Sequence, residues 1–116
     1  MENQNPIVRW PFGAASVEVM KATGATEVTV VNTLTIVDGV SVAATGNRTL
    51  KITADADLEI GARLVVKSKT TATETFTPGT GMKGEVITGE AGKTAVAEYV
   101  YDGVAFIQTG KSILID

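Results

Sequence analysis

Residues 26–42 read Thr-Glu-Val-Thr-Val-Val-Asn-Thr-Leu-Thr-Ile-Val-Asp-Gly-Val-Ser-Val, and their period is two. Val28, Val30, Asn32, Leu34 and Ile36 share one parity; Glu27, Thr29, Val31, Thr33, Thr35 and Val37 share the other. Alternation of this kind marks a strand with one face toward a core. The Val and Thr that fill it are β-branched and fit a pleated surface better than a helix. Asp38-Gly39 then predicts a two-residue turn, with Val40–Val42 returning as a second strand.

The pattern continues outward from this stretch. Thr45–Arg48 reads as a turn, and Leu50 and Ile52 as a short strand broken by Asp55-Ala56-Asp57. Leu58 and Ile60 begin another strand, Gly61 marks a bend, and Leu64-Val65-Val66 has the look of a buried run. Thr70–Phe76 is polar and β-branched, as in an exposed strand. A glycine-punctuated section follows at 78–84 and again at 89–92. The last hairpin places Val96–Tyr101 and Val104–Gln108 around Asp102-Gly103. A two-residue loop there pairs Tyr101 with Val104 and Tyr99 with Phe106, a packing set on one face. Ile113-Leu114-Ile115 closes the chain as a terminal strand. Turn signals recurring about every 8 to 12 residues predict an all-β fold. An antiparallel β-sandwich, a small barrel or an intertwined β-prism all satisfy the pattern.

The N-terminal residues differ. Residues 1–13 hold two of the three prolines and the only tryptophan. Pro6 and Pro11 push the residues before them toward extended conformations. Ile7, Val8, Trp10 and Phe12 make this an apolar extended arm, either folded onto its own domain or docked on a partner. Residues 14–24 fit a short helix or a strand. The expected organisation is therefore an N-terminal arm or anchor over residues 1–24 and a β domain over 25–116.

Composition bounds the function. The 116 residues suit one domain. The apolar fraction of 44% and the net charge of −3 exclude a disordered chain. No apolar run approaches the roughly 18 to 20 residues that cross a bilayer. Met1–Trp10 carries Glu2 and three amides where a signal peptide has a basic and then an apolar region, so none is expected. The ten Lys and Arg are scattered, which argues against nucleic acid as a partner. There is no His and no Cys, which removes imidazole relays, thiol nucleophiles, disulfides and the commonest zinc sites. Ala and Val number 14 and 15, Thr 17, and all larger apolar residues together only 22. Such a core is thin, because a buried Ala contributes far less than a Leu or Phe. Association between copies is one way to offset the deficit.

Several motifs imitate chemistry. Gly79-Thr80-Gly81-Met82-Lys83-Gly84 matches G-x-G-x-x-G, but Glu85-Val86-Ile87-Thr88-Gly89 is poor material for the helix a dinucleotide site requires. Gly92-Lys93-Thr94 ends like a phosphate-binding loop, yet the earlier glycine falls at Ile87 and a strand follows. Asp55, Asp57 and Glu59 alternate and could ligate calcium on one side of a strand, although a solvated edge is the simpler reading. Glu18, Glu85, Glu90 and Glu98 are scattered, and nothing pairs two of them for acid–base work. No catalytic residue, metal ligand or cofactor is therefore expected. Residues 37–50 and 101–114 both carry Asp-Gly-Val followed by Thr-Gly; two turns of shared chemistry explain this more simply than a duplicated unit.

The stretch from Leu58 to Gln108 resembles the β-domains of tailed-bacteriophage fibres and capsid-surface proteins. The residues that carry the likeness are Gly61–Lys67, the Thr-rich run to Gly79-Thr80-Gly81, the turn Gly89-Glu90-Ala91-Gly92-Lys93, and Tyr99-Val100-Tyr101-Asp102-Gly103-Val104-Ala105-Phe106. Phe106 stands where such hairpins often carry Trp, a mild departure. The resemblance covers about half the chain, through short motifs. It implies a structural virion protein, often a homotrimer: a short head fibre or a decoration protein on the capsid surface. It also implies the major capsid protein as partner, with Trp10 and Phe12 anchoring and the β body projecting. The competing reading is a carbohydrate- or cell-surface-binding β module that stacks sugars on Tyr99, Tyr101, Trp10 or Phe106. The low aromatic content, 5%, weighs against it.

Overall fold

A run of β-branched residues forms a strand readily, but its partner depends on where the chain goes next. In this computed structural model, which describes residues 15–116, the first nine strands alternate between two sheets. They are β1 (Ser16–Val19), β2 (Gly24–Val30), β3 (Leu34–Ala44), β4 (Arg48–Ala54), β5 (Arg63–Thr70), β6 (Thr75–Pro78), β7 (Met82–Lys83), β8 (Ile87–Thr88), β9 (Thr94–Tyr101), β10 (Phe106–Gln108) and β11 (Ile113–Ile115). One sheet has the order β1-β3-β5-β9-β10-β7, with β11 also paired to β9; the other has the order β2-β4-β6-β8. No helix occurs among the described residues.

The fold is all-β, two sheets facing each other across one core, as in a sandwich. The pairing, however, is mixed where an antiparallel arrangement was expected. β1, β3 and β5 are parallel neighbours, and so are β2, β4 and β6. Through β9, odd strands lie in one sheet and even strands in the other, so the chain winds as a short two-sided coil; β10 and β11 then return alongside β9. A parallel pair needs a long crossover, and here each crossover is itself a strand of the facing sheet. Ser16 lies beside Thr35, Leu34 beside Arg63, Gly24 beside Arg48, and Arg48 beside Phe76. Antiparallel strands close the winding at its C-terminal side: β9 against β5, and β8 against β6.

This topology corrects the reading of residues 26–42. They do not form one strand and a hairpin. β2 ends at Val30, the chain crosses through 31–33, and β3 begins in the other sheet. Thr26, Val28 and Val30 are buried in β2, whereas Thr35 and Val37 are the buried pair in β3, so the inward parity reverses at the crossing. Nor does the chain turn back at Asp38-Gly39. β3 runs on to Ala44 with an irregularity in register between Gly39 and Ala44. The Asp38 side chain accepts the N–H of Val40 at 2.7 Å and that of Ser41 at 3.1 Å, which bulges the strand without reversing it. Ser16–Val19, placed in the N-terminal segment by sequence, form β1 at the edge of the larger sheet.

Inward-facing side chains are Val28 and Val30 of β2, Leu50 and Ile52 of β4, Phe76 and Ile87 on one side, and Val37, Leu64, Val66, Ala95, Ala97, Tyr99 and Phe106 on the other. Among the largest fully buried side chains is Arg48, only 1% exposed. Its Nη1 donates to the carbonyls of Val42 (2.8 Å) and Lys21 (3.3 Å). Its Nη2 reaches the Gly39 carbonyl (3.0 Å), Ser68 Oγ (2.8 Å) and the Lys69 carbonyl (3.1 Å). One guanidinium thus binds the β1–β2 connection, the bulge of β3 and the end of β5. Gly39 makes this possible: a Cβ there would sit 2.9 Å from Arg48 Nη2 and 2.6 Å from the Lys67 carbonyl. Desolvation lowers the Arg48 pKa, opposed by the fields of Glu74 and Asp38.

Replacing Arg48 leaves several buried acceptors unpaired, each costing about 1–3 kcal/mol. Arg48→Met should therefore destabilise the fold by about 3 kcal/mol or more, read as a fall in the urea midpoint. Arg48→Lys should recover only part of the loss, since an ammonium cannot span the same acceptors.

Candidate interaction surface

The two sheets present unlike outer faces. On the four-stranded sheet, outward positions pair as Ala25-Thr49-Thr77, Glu27-Lys51, Thr29-Thr53 and Thr75-Thr88. This face is threonine with one acid–base pair. A shallow hollow of about 200 Å³ lies on it, lined by Glu27, Lys51, Ile52, Thr53 and Thr80.

The seven-stranded sheet is different. One outward row runs Val17-Ile36-Val65 and ends at Glu98. The next runs Val19-Asp38-Lys67-Val96-Ile113. A third runs Leu34-Arg63-Val100-Ile107. Ile115 adds a further apolar side chain beside Thr94. Val17, Val19, Ile113 and Ile115 are 60, 53, 58 and 47% exposed. Four of the charges on this face come in opposite pairs, and Lys69, in the row with Thr94 and Ile115, is a fifth. Arg63 forms an ion pair with Glu98, and Lys67 stands beside Asp38 and helps lower its pKa.

The predicted hairpin set is partly assembled. Tyr99 and Phe106 are fully buried, and Tyr101 packs on Phe106 with ring centroids 5.1 Å apart. The register differs from the two-residue loop. Phe106 lies opposite Tyr101, and Gln108 opposite Tyr99. Val104 is 83% exposed and packs in no hairpin core. The cause is Asp102, whose Oδ1 accepts the N–H of both Val104 and Ala105 at 2.8 Å. Those residues are drawn into the turn, which widens to residues 102–105. Asp38 makes the same contacts with Val40 and Ser41, so the likeness of 37–50 and 101–114 extends to shared Asx chemistry with opposite outcomes, a bulge and a hairpin. Burial also leaves Tyr99 and Phe106 unable to stack on a sugar, and Tyr101 spends its hydroxyl on the Gly103 carbonyl. Ile7, Val8, Trp10 and Phe12 lie outside the described residues.

The motifs that imitate chemistry are occupied by structure. Gly79 N–H donates to the Leu50 carbonyl, Ile52 N–H to Thr80, and Phe106 N–H to Gly81, so the glycine run carries the chain from one sheet to the other. Gly81 has φ +83°, and a Cβ would fall 2.1 Å from the Ile52 carbonyl oxygen. Gly92-Lys93-Thr94 belongs to a turn that hydrogen-bonds Thr70. Asp55 and Asp57 sit in the exposed β4–β5 loop, where Asp55 accepts the Asp57 N–H. No group of three metal-ligating side chains comes together among the described residues. Tyr99, whose phenol burial pushes up to about 12, has no hydrogen-bond partner for its hydroxyl. No family model matches the chain, and no curated protein matches it.

Gly81→Ala and Gly92→Ala separate clearance from conformation. Gly92 has φ +75° and open space, so its substitution pays backbone strain of about 1 kcal/mol. Gly81→Ala adds a clash with backbone and should cost at least twice as much, read by urea denaturation. A second prediction concerns acid. The Ser41 hydroxyl and the N–H of Val40 and Ser41 hold Asp38 at about 2, below the ordinary 3.8. A lowered carboxylate stabilises the fold above its unfolded pKa, and that contribution is lost as pH falls from about 4 to about 2. Glu74, Glu85 and Asp102 are lowered as well and share this limb. Asp38→Asn should lose less of its urea midpoint than the parent over that window.

Proposed function

We infer that the chain is a structural virion subunit: the β body of a short head fibre or capsid decoration protein, homo-oligomeric and without a catalytic step. The observation that carries this reading is the contrast between the two outer faces. A threonine face suits solvent. A face of paired charges and exposed Val and Ile suits contact with protein, because contiguous apolar patches on soluble chains mark interaction sites. The fold supports a scaffold in a second way. Its glycine motifs and its Asp55–Asp57 pair are consumed by turns and crossings, leaving a body that presents surfaces.

The virion assignment rests on the likeness of 58–108 to phage β-domains, with the residues ahead of β1 as the attachment segment and the major capsid protein as its target. Burial of Tyr99 and Phe106 weakens the carbohydrate-binding alternative, which loses two of its four stacking residues.

The test is attachment. Purified protein mixed with tailed-phage capsids lacking surface proteins should sediment with them saturably. Trp10→Ala with Phe12→Ala should weaken that binding at least tenfold while the far-UV circular dichroism stays that of the parent. Undiminished binding by the double variant would remove the arm from the reading, and a glycan array with saturable binding but no capsid binding would replace it.

A further inference from the structure

We propose that the outer face of the seven-stranded sheet is the surface through which copies of this chain associate, with a second copy seated face to face on it. The proposal deepens the structural reading, on which it rests only for its biological setting.

Three observations lead to it. The first is topological. The β1-β3-β5 portion is parallel, and parallel sheets are almost always covered on both faces. One face of this portion is covered by β2, β4 and β6; the other carries Val17, Ile36 and Val65 in a single row. The second is area. β1, β3, β5, β9 and β11 stand side by side. At about 4.8 Å between strands and about 3.3 Å per residue over roughly seven residues, the face measures about 550 Å². Two such faces give about 1,100 Å², above the roughly 1,000 Å² at which a specific interface becomes credible.

The third is charge. Arg63 and Glu98 neutralise each other, and so do Asp38 and Lys67, within the apolar rows. Lys69, beside Thr94, is the charge left over on this face, so a like copy approaches it with little repulsion. Lys83 lies at the margin, beside Ile107, where interfaces are normally polar. The chain's small core residues supply the incentive, since Val17, Val19, Ile113 and Ile115 lie exposed on this face and outside the core.

Sedimentation equilibrium at micromolar concentration tests the proposal. The parent protein should give twice the single-chain mass. Val65→Lys and, separately, Ile36→Lys place a charge at the centre of the face and should weaken association at least tenfold, with unchanged circular dichroism. Thr53→Lys on the opposite sheet is the control and should associate like the parent. Because Val65 and Ile36 lie on different strands, a folding defect in one still leaves the other to read. A parent mass of one chain overturns the proposal, and so does undiminished association in a folded variant. Either result leaves capsid binding free to succeed; conversely, self-association without capsid binding removes the virion reading and keeps this interface.

Discussion

The winding depends on a cation buried without a carboxylate beside it. Arg48 is held by four backbone carbonyls and one hydroxyl, drawn from the β1–β2 connection, the bulge of β3 and the end of β5. Burying a lone charge is costly unless its hydrogen bonds are satisfied. Here the satisfaction is nearly complete, with Nε the unpaired atom. Backbone carbonyls at the bulge and at the end of β5 are themselves orphans of irregular structure, so each side of the contact resolves the other's deficit. A hydrophobic residue at position 48 could fill the volume but could not take up those oxygens. The bulge at Gly39–Ala44, the loop at Lys21 and the end of β5 are therefore one unit.

The same constraint explains why class was legible in sequence and topology was not. Period-two alternation in Thr26–Val37 marks strands whichever sheet they join. What it does not carry is the crossing at Val31–Thr33, because a strand passing to the opposite sheet keeps its β-branched composition and merely reverses its inward parity. Asp38-Gly39 misled for a related reason. Asp-Gly is the strongest short-range hairpin signal, but here the glycine provides clearance for Arg48 and the aspartate caps a bulge. The cap is local, but the clearance depends on Arg48 and Lys67, which lie outside the four-residue window of a hairpin turn.

The surface was legible in part for similar reasons. The abundance of Ala, Val and Thr already indicated a core with few large side chains. Tyr99, Tyr101 and Phe106 were recognisable as a packing set, since aromatics facing one another around a turn have few other uses. Val104 was misplaced because the Asp102 side chain, invisible to a period count, claims two N–H groups and widens the loop. The outer rows could not be assembled at all. Val17, Ile36 and Val65 become neighbours only through parallel pairing, and the hairpin reading had no parallel pairs.

Thin cores and apolar outer faces are two views of one allocation. Phe76, Phe106, Tyr99, Leu50, Leu64 and Met20 are the large apolar side chains fully withdrawn from water. Between them the sheets pack Val, Ala and Thr, which let the two layers approach but bury little area per residue. Val17, Val19, Ile113 and Ile115 would have strengthened that interior; they are instead placed where no internal partner can use them. Val17, Val19, Ile113 and Ile115 on one outward face and threonines on the other are the arrangement that the proposed subunit requires, one in which another copy would complete part of the burial that stabilises the fold.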